Sequence, residues 1–236
     1  RLVDDAHRSA ADQLLHLAET KDISEGERLA NEIIVYHYSV SRDLFKRTTP
    51  VAGELRELRN KLIIDVGGRN MTQEEKMDRI LSYGERLSAR LVAAAVRQRL
   101  VNGTSLYWDT TGVIVTNEDF GNAKPNDEKS SGRARKIPHF LEANMIPIVT
   151  GFIGATEDGR FTTLGRNGSD FSAAYLGRLI GAEEVWIWTD VDGIFDKDPR
   201  KFLDAKFFPY LSFEEADRMA KAGAKLHPRT LEPLFG

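Results

Sequence analysis

The feature that most constrains the fold is a short run at residues 185–188, where valine, tryptophan, isoleucine and tryptophan follow one another. A strand with one face in solvent alternates apolar and polar residues. A run that is apolar on both faces instead predicts a strand in the centre of a sheet, with helices covering both sides. The run therefore predicts an α/β protein.

The two halves of the chain differ in pattern and support the same fold class. Apolar residues at helical spacing dominate the first half, whereas the second half alternates short apolar runs with helical stretches, which is typical of an open, largely parallel α/β sheet. Thr72 and Ser212 open capping boxes, and Asp158-Gly159 indicates a hairpin. We predict helices over residues 12–20, 29–36, 53–65, 72–81, 85–100, 172–180 and 212–223, strands over 105–108, 112–116, 146–149, 152–155 and 160–164, and a loop over 126–135.

Composition narrows the classes of function. The 236 residues include 33 Lys plus Arg and 36 Asp plus Glu, a formal charge of -3, which disfavours nucleic acid as a partner but permits a local basic site. The chain has no cysteine, which excludes disulfides, thiolate metal sites and a cysteine nucleophile. No run approaches the roughly 20 apolar residues of a membrane-spanning helix. We expect a cytoplasmic protein with no membrane partner.

The most informative candidate site is the glycine-rich segment 165–170, which follows a predicted strand and opens a predicted helix. Glycines let backbone N–H groups approach an anion, and the helix start adds a positive dipole end. Arg166 supplies a fork that binds a carboxylate or phosphate through two hydrogen bonds, and Asp170 adds a carboxylate. An ordinary turn with a helix cap at Ser169 is the alternative interpretation.

A second candidate site is segment 189–193, directly after the predicted central strand. Ligands of open α/β sheets bind beyond the carboxyl ends of the strands, so polar groups here are natural nucleotide contacts. Phe195 could cover an adenine ring, and Lys197 and Arg200 could meet phosphates. A polar turn is the alternative. The sequence contains no Walker-type loop.

Two further segments carry charged candidates. Glu85, before an apolar helical stretch, could accept hydrogen bonds from an ammonium group, or it could simply stabilise the first turn of a helix. Segment 225–229 places Lys225, His227 and Arg229 near a helix end, where cations are also favourable for the helix itself. The other four histidines have no metal-ligand spacing, and we predict no metal ligand.

Taken together and in order, these segments resemble the aspartokinases of the amino acid kinase family. Asn167 is similar to the form found in aspartokinases fused to homoserine dehydrogenase, where many other members carry glycine. The resemblance implies the fold of that family, a three-layer α/β/α sandwich around a largely parallel sheet. The strings that carry it are residues 83–89, 117–125, 163–174, 188–193, 198–200 and 223–230.

The resemblance implies phosphorylation of the side-chain carboxylate of L-aspartate by ATP, giving 4-phospho-L-aspartate on the route to lysine, threonine and methionine. By motif, Arg166 would hold the α-carboxylate and Glu85 the α-amino group, Gly168 and Ser169 would offer backbone contacts, and Asp170 would orient the reacting groups. Mg²⁺ would bridge the ATP phosphates, and a homo-oligomer is expected. The residues expected to line the ATP site are Thr189, Asp190, Phe195, Lys197, Arg200 and Lys225.

The chain departs from the family at its ends and in one motif. It lacks the opening Lys-Phe-Gly-Gly strand, and residues 225–227 are one residue shorter than the family's Lys-Val-Leu-His. We therefore expect residues 1–236 to be an incomplete catalytic domain, without its first strand and without a regulatory ACT region. Two alternatives stay open: a kinase for glutamate or N-acetylglutamate, and an inactive ATP- or amino-acid-binding module. A carboxylate at Glu85 favours a free α-amino group and disfavours an acetylated one.

Overall fold

The computed structural model describes residues 10–20, 22–46, 50–68, 70–188, 192–222 and 228–235. Three predicted site residues, Thr189, Asp190 and Lys225, lie outside the described residues. Within them the chain begins with four helices and continues as short strands and helices. None of the helices in this part of the chain combines the length and apolarity needed to cross a membrane.

The first four helices share one apolar core. They are α1 (Ala10–Glu19), α2 (Ile23–Leu44), α3 (Ala52–Val66) and α4 (Gln73–Arg99). Apolar residues spaced by three and four positions place one stripe of each helix against its neighbours. The core is built around fully buried side chains such as Leu14, Leu17, Ile33, Leu58, Leu62 and Leu87. The helices predicted over 12–20, 29–36 and 53–65 are confirmed.

Helix α4 is one continuous helix where the sequence predicted two. Thr72 starts it as predicted, accepting a hydrogen bond from the Glu75 amide at 3.2 Å. Glycine inside a helix costs about 1 kcal/mol relative to alanine, which favoured a break near Gly84. In the structure, Gly84 lets α1 pack closely against α4, since a Cβ at this position would lie only 3.1 Å from Cδ1 of Leu14. This packing offsets the cost of glycine, and the helix continues.

Within this helical layer, His37 is a buried titratable group. Its Nδ1 lies 2.7 Å from the Ile33 carbonyl oxygen. Because that oxygen can only accept, Nδ1 carries the proton. Burial lowers the pKa of His37 below its ordinary value, and the bond to Ile33 offsets part of that effect.

We expect acid to weaken the helical layer through His37. The unfolded chain binds a proton near the ordinary histidine pKa of about 6.5, and the folded chain binds it only at lower pH, so stability is lost as the pH falls below about 6.5. Melting temperatures at pH 7.5 and pH 5.5 should therefore differ more for the native chain than for His37→Gln, which cannot titrate. Equal losses in both proteins would exclude His37 as the source.

Short strands carry the second half of the chain. They are β1 (Thr104–Trp108), β2 (Met145–Val149), β3 (Ile153–Ala155) and β4 (Phe161–Thr163). β1 and β2 pair in parallel, with Ser105 opposite Ile146. β3 and β4 form an antiparallel hairpin, and Gly159 in its turn has φ 90°, a conformation that favours glycine. The strands predicted over 105–108 and 146–149 and the predicted hairpin are confirmed.

The loop predicted over residues 126–135 is wrong, because this segment forms helix α5 (Asp127–Ala134), followed by α6 (Lys136–Glu142). The Asn126 side chain caps α5 by accepting a hydrogen bond from the Lys129 amide at 3.0 Å. Asparagine at this position satisfies one of the free N–H groups of a first turn, which explains how so polar a segment is helical.

The strand predicted over 112–116 is also wrong as a regular strand. A short 3₁₀ turn, Thr110–Gly112, comes first, and the following residues make only isolated bridges, including one between Val115 and Ala155. Buried Thr110 holds the turn, because its hydroxyl donates to the Ile153 carbonyl at 2.9 Å and its amide donates to Thr150 Oγ1 at 2.9 Å. These contacts fix the chain before a strand can begin.

The remaining elements are α7 (Gly168–Ile180), the antiparallel pair β5 (Ile194–Phe195) and β6 (Phe207–Phe208), α8 (Phe213–Lys221), and two 3₁₀ turns, Pro228–Thr230 and Glu232–Phe235. Gly181 ends α7 with φ 66°, as predicted for a C-terminal cap. Ser212 opens α8 with the predicted capping box, in which its amide donates to Glu215 Oε2 at 2.8 Å.

The central strand predicted at residues 185–188 is wrong for the described structure. Trp186 is 70% exposed and Trp188 is 86% exposed, and the segment belongs to none of the described strand pairs. Val185 and Ile187 are half-buried, and Val185 packs against Gly177 of α7. Only one face of the run is therefore covered, since no strand among the described residues flanks it.

Candidate active site

The glycine-rich turn lies between β4 and α7, as predicted. Gly165 has φ 76° and Asn167 has φ 57°, so both occupy the left-handed region that glycine and asparagine tolerate best. The Gly168 amide donates to the Gly165 carbonyl at 3.0 Å and closes the turn. Helix α7 starts at Gly168, so the N–H groups that follow Gly168 in its first turn, and its positive dipole end, open onto the turn.

Glu85 meets this turn from α4. The Ser169 hydroxyl donates to Glu85 Oε1 at 3.2 Å, although the two residues are far apart in sequence. Glu85 lies in the middle of α4, which excludes the interpretation of it as a first-turn residue that stabilises the helix dipole. The fold thus gives a half-buried carboxylate a place beside the start of α7.

Arg166 and Asp170 flank Ser169, the residue that meets Glu85, on either side in the sequence. Arg166 is exposed on the turn, and Asp170 is half-buried in the first turn of α7. An arginine fork binds a carboxylate in two hydrogen bonds, and a carboxylate such as Glu85 accepts from an ammonium group. The arrangement therefore offers separate partners for the two charges of an α-amino acid.

The Gly151-Phe152 segment is a part of the site that the sequence interpretation missed. Phe152 has φ 66°, which is rare for an aromatic residue, and its amide donates to Ser172 Oγ at 3.1 Å. A Cβ on Gly168 would lie 2.7 Å from Phe152 Cδ2, and one on Gly151 would lie 3.1 Å from Ser169 Cβ. The available signal was a glycine just beyond the carboxyl end of β2, where ligands of α/β sheets bind.

Arg229 supports the turn from the opposite side. Its Nη1 donates to the Leu164 carbonyl at 2.6 Å and to Asn122 Oδ1 at 3.2 Å, and its guanidinium lies 5.1 Å from the centre of the Phe171 ring. The sequence placed Arg229 in a basic segment near a helix end. In the structure it braces the residue that directly precedes Gly165.

The described residues predicted to bind a nucleotide lie at a different hairpin, β5–β6, and in the connection between its strands. Phe195 is half-buried with its ring centre 5.4 Å from that of Phe207. Lys197 Nζ lies 2.6 Å from Asp204 Oδ2 and Arg200 Nε lies 3.3 Å from Asp198 Oδ1, so each cation has an acidic partner. The hydrogen bond from Lys197 lowers the pKa of Asp204.

An open cleft of about 430 Å³ adjoins this hairpin. Its lining is mainly apolar and includes Phe207, Phe208, Tyr210 and Phe213. An apolar cleft of this kind suits a flat ring such as a nucleobase. Phe195, which the sequence assigned to cover adenine, is not part of its lining.

The match to a known family decides the class of protein. The model of the Amino acid kinase family matches residues 26–236, which is most of the chain. The chain belongs to the amino acid kinase family.

Named relatives of this amino acid kinase are aspartokinases. It is 35% identical to bifunctional aspartokinase/homoserine dehydrogenase 1 of Zea mays over 238 residues, which cover 98% of this chain and 24% of that protein. It is 39% identical to lysine-sensitive aspartokinase 3 of Escherichia coli over 181 residues, which cover 75% of this chain and 39% of that protein. The chain therefore spans well under half the length of these curated relatives.

Solved structures confirm the predicted fold class of this amino acid kinase. Escherichia coli aspartokinase III in complex with aspartate and ADP superposes with a TM-score of 0.85 at 32% identity, covering 98% of this chain and 52% of that one. Clostridium acetobutylicum aspartate kinase gives a TM-score of 0.73 at 19% identity, covering 98% and 48%, and shows the fold alone. The α/β sandwich is thus the shared architecture of the family.

Proposed function

We propose that this chain forms the catalytic part of an aspartate kinase, which transfers the terminal phosphoryl group of ATP to the side-chain carboxylate of L-aspartate. The observation that carries the proposal is the approach of Glu85 to Ser169 beside the turn that holds Arg166. Similarity across 98% of the chain to an aspartokinase solved with aspartate and ADP supports it. The product, 4-phospho-L-aspartate, starts the synthesis of lysine, threonine and methionine.

The substrate end of the mechanism follows from the charges at the turn. L-Aspartate carries two carboxylates and one ammonium group. Arg166 binds the α-carboxylate through two hydrogen bonds, and Glu85 accepts from the α-ammonium, so the side chain is left facing the start of α7. There the N–H group of Ser169 and the helix dipole stabilise the reacting carboxylate and the negative charge that the phosphoryl group brings. Gly168, whose amide closes the turn on Gly165, contributes a backbone without a side chain that the substrate can approach closely.

The nucleotide end uses the β5–β6 hairpin and the segments around it. Phosphoryl transfer needs positioning and charge neutralisation more than covalent chemistry by the protein. Lys197 and Arg200, now paired with Asp204 and Asp198, exchange these acids for phosphate oxygens when ATP binds. We assign Thr189, Asp190, Phe195 and Lys225 to the same site by their place in the family's motifs.

Magnesium fits this site as an ion that arrives with ATP. No group of three or more His, Asp or Glu side chains within the described ranges could hold a metal ion. Mg²⁺ commonly binds through substrate phosphates and only one or two carboxylates, and Asp170 at the start of α7 is a suitable one. When bound, the ion neutralises charge on the phosphates.

We further propose a homo-oligomer as the working state.

ADP release by the full-length protein, measured with three acceptors, tests the proposal. We expect turnover with L-aspartate and at least tenfold lower kcat/KM with L-glutamate, because the extra methylene displaces the reacting carboxylate. N-Acetyl-L-glutamate should give no turnover, since it offers Glu85 no ammonium group. Preference for either alternative acceptor would reject the assignment. Binding of ATP and aspartate without ADP release would instead indicate a binding module.

A further inference from the structure

Asp78 is a buried carboxylate that is not among the proposed substrate contacts and that connects α4 to two segments beside the glycine-rich turn. Asp78 lies on α4 and is 1% exposed. Its Oδ2 accepts hydrogen bonds from the Gly121 amide at 2.8 Å and the Thr163 amide at 2.7 Å, and its Oδ1 accepts from the Thr163 hydroxyl at 2.7 Å. Three donors thus converge on one side chain, and all three come from segments outside α4.

Both segments that Asp78 holds border the glycine-rich turn. Thr163 is the last residue of β4, and Arg166 follows three positions later. Gly121 belongs to the loop that touches the turn on its other side, since a Cβ on Gly165 would lie 3.3 Å from the Gly121 carbonyl oxygen. Asp78 therefore fixes the strand end from which the turn starts and the loop against which the turn rests.

The position of Asp78 on its helix is equally specific. Glu85 follows Asp78 by seven positions, which is close to two full helical turns, so both residues lie on one face of α4 about 10 Å apart along its axis. One end of that face binds the strand that leads to Arg166, and the other end carries Glu85. The hydrogen bonds of Asp78 thus set how far Glu85 stands from the arginine turn.

We infer that Asp78 is a positioning residue that fixes the spacing between the carboxylate-binding turn at Arg166 and the ammonium-binding Glu85. This inference rests on the proposed function, because it assigns the spacing to recognition of an α-amino acid. Burying a carboxylate costs free energy, and an apolar side chain of similar volume often stabilises a protein core equally well. Stability alone therefore does not explain a buried aspartate. Consistently, burial raises the pKa of Asp78 despite its hydrogen bonds. The three directed bonds provide geometry that an apolar side chain cannot.

Two substitutions at Asp78 separate positioning from general stability. Asp78→Ala removes all three bonds, and we expect KM for L-aspartate to rise about tenfold or more while KM for ATP changes less than twofold. Asp78→Asn keeps the shape: its carbonyl oxygen accepts both amides and its NH₂ donates to the Thr163 hydroxyl, so KM for L-aspartate should stay within about threefold of the native value.

Two further variants keep the test decisive if Asp78→Ala does not fold. Thr163→Val removes only the hydroxyl donor at nearly constant volume, and KM for L-aspartate should rise about threefold, with KM for ATP unchanged. Asp22→Ala is the matched control, because Asp22 also accepts from two backbone amides but does so at the start of α2. It should lower the melting temperature without changing either KM.

The outcomes distinguish this inference from the proposed function. If the native protein does not phosphorylate L-aspartate, the proposed function fails first. If it does, and if Asp78→Ala or Thr163→Val lowers the melting temperature without changing KM for L-aspartate, the positioning role is overturned. Equal rises of both KM values would also overturn it, since they would indicate a general loss of structure.

Discussion

Replacing Arg166 with alanine is expected to raise KM for L-aspartate by about 30- to 150-fold. A lost charge-assisted, two-pronged contact to the α-carboxylate costs on the order of 2–3 kcal/mol, and each 1.4 kcal/mol is a factor of ten. Arg166 is exposed on the turn, so its removal leaves no buried gap and the fold should stand. Steady-state kinetics of the full-length protein, with L-aspartate varied at saturating ATP, measures the change.

An arginine on the helix that follows the turn provides the control. Arg178 lies near the end of α7 and pairs with Asp127 at 2.7 Å. Arg178→Ala also removes a guanidinium, and because Arg178 is ion-paired it costs at least as much stability, but it should leave KM for L-aspartate within twofold. Arg166→Lys keeps the charge and loses the planar fork, so its KM should fall between those of the native protein and Arg166→Ala. Unchanged aspartate kinetics in Arg166→Ala would refute the assigned contact.

Asp170→Asn is expected to lower kcat by about 100-fold with a small change in KM for L-aspartate. The substitution conserves volume but removes the charge that we assign to orienting the reacting groups, and misplacement of reactants by about 1 Å costs on that order in rate. Because Asp170 occupies the first turn of α7, loss of its charge also costs up to about 1 kcal/mol of stability. Single-turnover ADP formation isolates the chemical step.

The control for Asp170 is another first-turn carboxylate. Asp127 occupies the first turn of α5, and Asp127→Asn makes the same chemical change there. It should reduce stability slightly and leave kcat unchanged. A similar kcat for Asp170→Asn and the native protein would remove Asp170 from the reaction and leave it as a residue that stabilises the helix start.

Elements with short-range causes were predictable from the sequence. The Ser212 box, the Gly181 cap and the Asp158-Gly159 hairpin depend on neighbours within a few positions, and the structure contains all three. Helix α4 was predicted as two helices because the contact that favours Gly84 comes from Leu14, seventy positions earlier. Local patterns carry no information about such a partner.

The run at residues 185–188 shows a second limit. Its composition indicates burial on both faces, but burial depends on strands that flank the run and helices that cover it. In the described structure Val185 packs against α7 while Trp186 and Trp188 face outward. The fold class nevertheless follows from the pattern of the whole second half, which the similarity to solved aspartokinases confirms.

For the site, the sequence identified the side chains that carry charge, but their supports emerged only from the structure. Glu85 and Arg166 stand out as charged residues beside glycine-rich or apolar segments. Asp78 and Arg229 bind backbone atoms of distant segments, the Thr163 amide and the Leu164 carbonyl respectively, and the Phe152 amide donates to the side chain of distant Ser172. A hydrogen bond between segments far apart in sequence leaves no local pattern. The sequence therefore contained no signal for Asp78, named Arg229 only as one of several basic residues, and indicated Phe152 only through the neighbouring Gly151.

The continuity of α4 has a consequence for how substrate affinity can evolve. With 27 residues it spans about 40 Å, and the same rigid rod carries Tyr83 and Leu87 into the four-helix core and Asp78 and Glu85 to the substrate turn. A core substitution that slides this rod along its axis moves both substrate-side carboxylates together. Under the proposed function, selection for altered aspartate affinity can therefore act on buried leucines that never touch the amino acid, and directed libraries should sample them.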